Sequence, residues 1–189
     1  MAILSILICT IPSRRKQLDS LLKYLSEQID KLKLHNKIEI IVNAMPKGSV
    51  TIGAKRNTLL EEASGEYVAF IDDDDYVTQD YIKKVYEACN LGYDCVELRS
   101  QIASNDHLNG RIIHFAVHND PEPKLLQEDV YIQSIGHLCP VKASIALKAR
   151  FPELNVGEDL EYSRRIKPLL RTMAPTEGIL YYYNRMQKK

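Results

Sequence analysis

Four consecutive aspartates, Asp72, Asp73, Asp74 and Asp75, directly follow the apolar run Tyr67-Val68-Ala69-Phe70-Ile71. Like charges this close repel, and a folded chain tolerates them where a cation or hydrogen bonds offset the repulsion. An all-oxygen donor set suits Mg²⁺ or Mn²⁺ rather than zinc. Such an ion takes one or two carboxylates from the protein and fills its other positions with substrate phosphates. A solvated loop ahead of a helix N-terminus is the plainer explanation of the same acids. A calcium loop beginning at Asp72 needs glycine at position 77 and glutamate at position 83. Those positions hold Val77 and Lys83, which excludes it.

What the acids can do depends on the elements that carry them. Ile3 to Cys9 is a mostly apolar run, as expected of a strand buried on both faces. Pro12-Ser13 stops it, and Ser13 is expected to cap a helix in which Leu18, Leu21, Leu22, Leu25, Ile29 and Leu32 form one stripe. Ile38 to Val42 reads as a second strand. Gly53 to Ala63 reads as a helix closed at Ser64-Gly65, and Tyr67 to Ile71 as a third strand. Each crossover carries a helix, so the three strands are expected to run parallel. Ligands of open parallel sheets bind at the strands' carboxyl ends, here Thr10, Asn43 and Asp72. The acidic run therefore sits at an expected binding edge.

Downstream, Thr78 is expected to cap a helix over Gln79–Ala88, and Cys95 to Ile102 reads as one strand. Asn109-Gly110 signals a hairpin into Arg111–Phe115. Helices are expected over Lys142–Arg150 and Glu158–Leu170, with a last strand over Gly178–Tyr183. In that strand Tyr181, Tyr182 and Tyr183 alternate faces and are explained by packing. The 189 residues predict one domain. Twenty-five basic and 25 acidic residues cancel, which argues against a nucleic-acid or anionic-membrane binder. No apolar stretch is long enough to span a bilayer, and the first strand does not read as a secretory signal. Cys9, Cys89, Cys95 and Cys139 form no CxxC pair and suit free thiols in a reducing cytoplasm.

Two family resemblances follow from the motifs. Asp73-Asp74-Asp75-Tyr76-Val77 resembles the D-x-D-x-[TV] motif of haloacid-dehalogenase-like phosphatases, which implies Asp73 as nucleophile and Asp75 as the acid–base group. That motif usually follows the first strand of its fold rather than the third. An ordered set of segments resembles the family 2 glycosyltransferases instead. It comprises Leu4 to Arg14, Gly53-Ala54-Lys55-Arg56-Asn57, Ala63 to Asp75 with its Gly65-Glu66-Tyr67, and Gly157-Glu158-Asp159. The set spans nearly the whole chain and implies a GT-A fold, an α/β architecture with a mostly parallel central sheet and a smaller antiparallel portion in the C-terminal half; it also implies a nucleotide-binding half over about 1–100 and an acceptor-binding half over about 101–189.

By this resemblance Thr10 and Pro12 line the nucleotide base, Asp72 and Asp73 approach ribose and diphosphate, and Asp74 ligates Mn²⁺ or Mg²⁺. Lys55 and Arg56 would add cationic contacts to the phosphates; for both, an exposed basic first turn of a helix is the competing explanation. Asp159 is implied as the general base, Glu158 as a group that positions the acceptor or the base, and His137 as a contact of the acceptor pocket. A helix N-terminal acid pair and a satisfied structural histidine are the alternatives for these three. The expected activity is metal-dependent, inverting transfer of a sugar from a nucleotide-diphosphate donor, a UDP-sugar first of all, to a hydroxyl of a glycan or other acceptor. A non-catalytic nucleotide-sugar or glycan-binding module is the third reading.

Overall fold

A computed structural model describes residues 1–185. The chain begins as the apolar pattern predicts: β1 (Leu4–Cys9), α1 (Arg15–Leu32), β2 (Ile38–Asn43), α2 (Ile52–Glu62) and β3 (Tyr67–Phe70). Strand β1 is buried along its whole length, with β2 and β3 parallel on either side. Leu18, Leu21, Leu25 and Ile29 bury the stripe of α1. Ser13 does not cap that helix. Pro12–Arg14 forms a 3-10 turn that feeds directly into α1, so Ser13 lies inside the turn. Thr51 caps α2 by accepting the Ala54 N–H at 3.1 Å.

Gly65 also differs from its expected role. The helix ends at Ala63 in extended backbone, and glycine is required for a close approach instead. A Cβ at Gly65 would lie 2.5 Å from Ser5 Oγ and 2.7 Å from Ser5 N. Beside this contact Glu39 accepts hydrogen bonds from Ser5 Oγ, Ser64 N and Gly65 N, which fixes the α2–β3 turn to the sheet.

After β3 come β4 (Tyr76–Val77), α3 (Tyr81–Cys89), β5 (Cys95–Val96) and β6 (Leu98–Ala103). Thr78 does not cap α3; it donates to Asp80, the residue that precedes the helix. The single strand expected over Cys95–Ile102 is two. The chain leaves one sheet after Val96 and enters the other at Leu98, with the Glu97 N–H held by Ala174 O at 2.8 Å. The rest comprises β7 (Ile112–Phe115), β8 (Lys124–Gln127), β9 (Val130–Gln133), β10 (Val141–Lys142), α4 (Ala143–Ala149), α5 (Glu158–Ile166), β11 (Met173–Ala174) and β12 (Tyr181–Asn184). The Asn109-Gly110 signal is realised in the antiparallel β6–β7 pair, with Gly110 at φ +82°.

One sheet has the order β11-β5-β10-β3-β1-β2, with β10 antiparallel beside β3. The other, β4-β12-β6-β7-β9-β8, is mixed. A single apolar cluster runs from Leu4, Leu7 and Phe70 of the first sheet to Leu98, Phe115 and Tyr181 of the second. Among the described residues, no helix is long and apolar enough to cross a membrane.

Candidate active site

The loops after β1, β2 and β3 converge, as the parallel topology requires. Around them lies a cleft of ≈ 590 Å³ lined by Thr10, Ile11, Arg14, Lys55, Asp72 and Asp74, among others. A second cavity of ≈ 680 Å³ adjoins it and shares Arg56, Asp72 and Asn155. One wall of this second cavity is a face of the second sheet. Ser100 pairs with Ile113 and Phe115 with Gln133 across adjacent strands, and all four line it with Tyr183. His137, Glu158 and Asp159 also line it.

Within the acidic run the four carboxylates have different surroundings. Asp73 is buried, accepting from Thr10 Oγ1 at 2.6 Å and from Arg14 Nη1 at 2.7 Å. Arg14 also lies 3.3 Å from Asp74 Oδ2. Asp75 faces the interior, bonded to Tyr181 and to the backbone of Asn184. Burial, with Asp72 and Asp74 nearby, pushes Asp75 up to about 7 against the lowering effect of those hydrogen bonds. Asp72 is the most open member that meets both cavities. Thr10 engages one carboxylate oxygen of Asp73 and Arg14 the other, while the residue still borders the cleft.

Arg56 is the centre of the site rather than a surface cation. Its guanidinium is buried, with Nη2 3.3 Å from Asp72 Oδ1 and Nη1 3.3 Å from Glu158 Oε1. The carbon at its centre lies 5.6 Å from the Phe70 ring and 5.3 Å from the Phe151 ring. Burial alone would lower its pKa, but Asp72 and Glu158 outweigh that and keep it charged. Lys55 is also buried. Its ammonium donates to the carbonyls of Thr10 and Met45, tying the loop after β1 to the loop after β2. Pro12 is exposed at the start of the 3-10 turn, and its neighbour Ile11 lines the cleft.

The other residues of the Gly53-to-Asn57 segment carry the loop that leads to Glu158. Asn57 donates to Phe151 O and accepts from Phe151 N, each at 2.9 Å. Gly53 donates to Leu154 O at 3.1 Å, and a Cβ there would lie 1.8 Å from Pro152 O. Asn155 in turn accepts the Ile52 N–H. Gly157, with φ +78°, immediately precedes helix α5, which turns Glu158 inward while Asp159 stays exposed on the cavity. His137 Nε2 lies 3.7 Å from Asp72 Oδ2, without a hydrogen-bond partner among the described residues. Arg185 stands near Asp106, 3.9 Å away.

Sequence reasoning missed Arg14, Tyr181 and Asn184. The only signal for them was Arg14 inside a recognised motif and a tyrosine run that packing already explained.

Residues 18–144 match the model of glycosyl transferase family 2. The chain belongs to this family. It is 37% identical over 51 residues to the poly(ribitol-phosphate) beta-N-acetylglucosaminyltransferase TarS of Staphylococcus aureus, an alignment covering 27% of this chain and 9% of that protein. It is 47% identical over 36 residues to the glycosyltransferase GlyA of Streptococcus pneumoniae serotype 4, covering 19% of this chain and 5% of that one. The crystal structure of S. aureus TarS 1–349 superposes with a TM-score of 0.66 at 19% identity, over 97% of this chain and 60% of that one. The same fragment in complex with UDP-GlcNAc gives 0.63 at 18% identity, over 99% and 60%. The chain thus spans less than two thirds of the proteins it matches. The mixed α/β fold is that of these GT-A-like transferases.

Proposed function

We propose that the chain is a metal-dependent, inverting glycosyltransferase that moves a sugar from a UDP-sugar to a hydroxyl acceptor. The observation that carries this reading is the Asp72–Arg56–Glu158 bridge. It joins a cleft built from the loop after β1 and the aspartate turn to a second cavity that presents Asp159. A similar fold has been solved with UDP-GlcNAc bound, which supports a uridine nucleotide.

In this reading the nucleotide lies between Thr10 and Ile11 on one side and Asp72 and Asp74 on the other. The residues fit a hard divalent cation. Asp74 and Asp72 offer carboxylate oxygens to the cleft, and no group of three or more His, Cys, Asp or Glu forms a complete cage among the described residues. Asp74, with Asp72 beside it, would hold Mn²⁺ or Mg²⁺, whose charge when bound offsets that of the departing diphosphate. Arg56 keeps Asp72 and Glu158 in place, and the sugar extends into the second cavity. Asp159 takes the proton of an acceptor hydroxyl as that oxygen bonds to the anomeric carbon and the bond from that carbon to the diphosphate oxygen breaks. The configuration inverts, and the nucleoside diphosphate leaves. The acceptor is a glycan or another hydroxyl compound, and the four buried, unpaired cysteines suit work in a reducing cytoplasm.

Calorimetric titration of UDP in the presence of MnCl₂ tests the donor half. Binding is expected to depend on the metal and to weaken at least tenfold in Asp74→Asn, by roughly the strength of one lost charged contact; no heat with UDP and Mn²⁺ would overturn it. Asp159→Asn is expected to leave UDP binding intact and reduce transfer by about 10²–10⁴-fold. Transfer at the wild-type rate in that variant would remove Asp159 as the base.

A further inference from the structure

Strand β12 belongs to the second sheet, yet it holds the aspartate turn that leaves the first. The Tyr181 hydroxyl donates to Asp75 Oδ2 at 2.7 Å and accepts the Asp72 N–H at 3.1 Å. Asn184 donates its backbone N–H to Asp75 Oδ1 at 2.8 Å and its side-chain amide to Asp74 O at 2.9 Å. Both carboxylate oxygens of Asp75 are therefore taken up by β12. Tyr181 is fully enclosed and Asn184 is buried; neither lines the nucleotide cleft, so each reaches it only through the turn. A turn carrying four like charges has many backbone and rotamer states of similar energy. Fixing an amide, a carbonyl and a carboxylate of that turn removes most of them before a ligand arrives.

We infer that Tyr181 and Asn184 are positioning residues of the metal–diphosphate site. They hold the turn so that Asp72 and Asp74 face the cleft, and Asp75 is the internal anchor of this clamp rather than a ligand. The inference rests on the reading of Asp74 as a metal-binding carboxylate. The test is arranged so that the two can fail separately.

UDP is titrated into the full chain by calorimetry, once with MnCl₂ and once with EDTA. The wild type is compared with Tyr181→Phe, Asn184→Ala and Asp74→Asn. Tyr181→Phe keeps the ring volume and removes one oxygen. It is expected to weaken the metal-dependent affinity roughly tenfold, as for one hydrogen bond to a charged group, and to leave metal-free UDP affinity within about twofold. A purely structural role would lower the melting temperature and the competent fraction, while the dissociation constant of that fraction kept its metal dependence. Equal losses with and without metal, or no loss in either, overturn the inference.

Should Tyr181→Phe fail to fold, Asn184→Ala decides. A loss of about threefold confined to the metal-dependent affinity supports the clamp, and an unchanged value overturns it. Loss in Asp74→Asn with both β12 variants unaffected sinks the inference alone. Wild-type affinity in Asp74→Asn sinks the underlying reading, and the inference with it.

Discussion

Arg56 shows how one residue can be misjudged from its type alone. A basic residue in the first turns of a helix is expected at the surface, where it could reach a phosphate. Instead its guanidinium is enclosed between two carboxylates and two aromatic rings, and Glu158 is buried beside it. Removing one member of a buried charged set leaves the others uncompensated, which costs about 3–5 kcal/mol in comparable sites. Arg56→Met keeps the apolar stem and deletes the charge. It is expected to lower unfolding stability by about 3 kcal/mol at pH 7.5 in urea titrations. A loss below about 1 kcal/mol would show that the bridge is solvated. At this scale the acidic run was legible, because four like charges after an apolar strand are a local anomaly. The partners that sort those charges were not. Tyr181 lies 109 residues from Asp72, and no spacing or periodicity links a strand tyrosine to one particular amide.

Helix α2 does more than cross from β2 to β3. Its first two turns hold the loop before α5, through Gly53 at Leu154, Asn57 at Phe151 and Asn155 at Ile52. The distance between the nucleotide cleft and Asp159 is thus set by helix–loop packing. Gly53→Ala tests this. Its Cβ would meet Pro152 O at 1.8 Å, a backbone atom that cannot swing aside, so the loop must move. The expected cost is about 1–3 kcal/mol of stability, as for overpacking. Transfer should fall more than tenfold, since displacement of a catalytic group by about 1 Å can cost a hundredfold. Metal-dependent UDP binding should change little. Transfer and UDP binding falling together would mean that the helix positions the donor instead. The three parallel strands and two crossover helices at the N-terminus were readable because their apolar periods are clean. The second sheet was legible in part: β6, β7 and β12 overlap expected strands, whereas β4, β8 and β9 have no counterpart in the sequence reading. Its strands are short, β8 is exposed throughout, and the step from one sheet to the other at Glu97 leaves no mark in the hydrophobic pattern.

The whole molecule joins two sheets through one core, and its four thiols report on whether that core opens as a unit. Cys89 ends α3, Cys95 begins β5 and Cys139 precedes β10, all within the apolar cluster. Cys9 sits at the end of β1 and lines the nucleotide cleft. Burial pushes Cys9 and Cys95 up to about 12 and raises Cys89 and Cys139 as well. At pH 8 the folded chain therefore presents no thiolate, and alkylation must wait for opening. If the core is one cooperative unit, Cys89, Cys95 and Cys139 should label with iodoacetamide at one common slow rate, read by peptide mass spectrometry. Cys9, 8% exposed against 2% or less for the other three, should label faster. UDP with MnCl₂ should slow Cys9 most, because the ligand covers its cleft, and should slow the other three by the factor that ligand binding adds to global stability. A fast Cys139 with slow Cys89 and Cys95 would show that the segment joining the second sheet to β10 opens alone. In that case the two sheets, and the two halves of the site built between them, would be coupled only loosely.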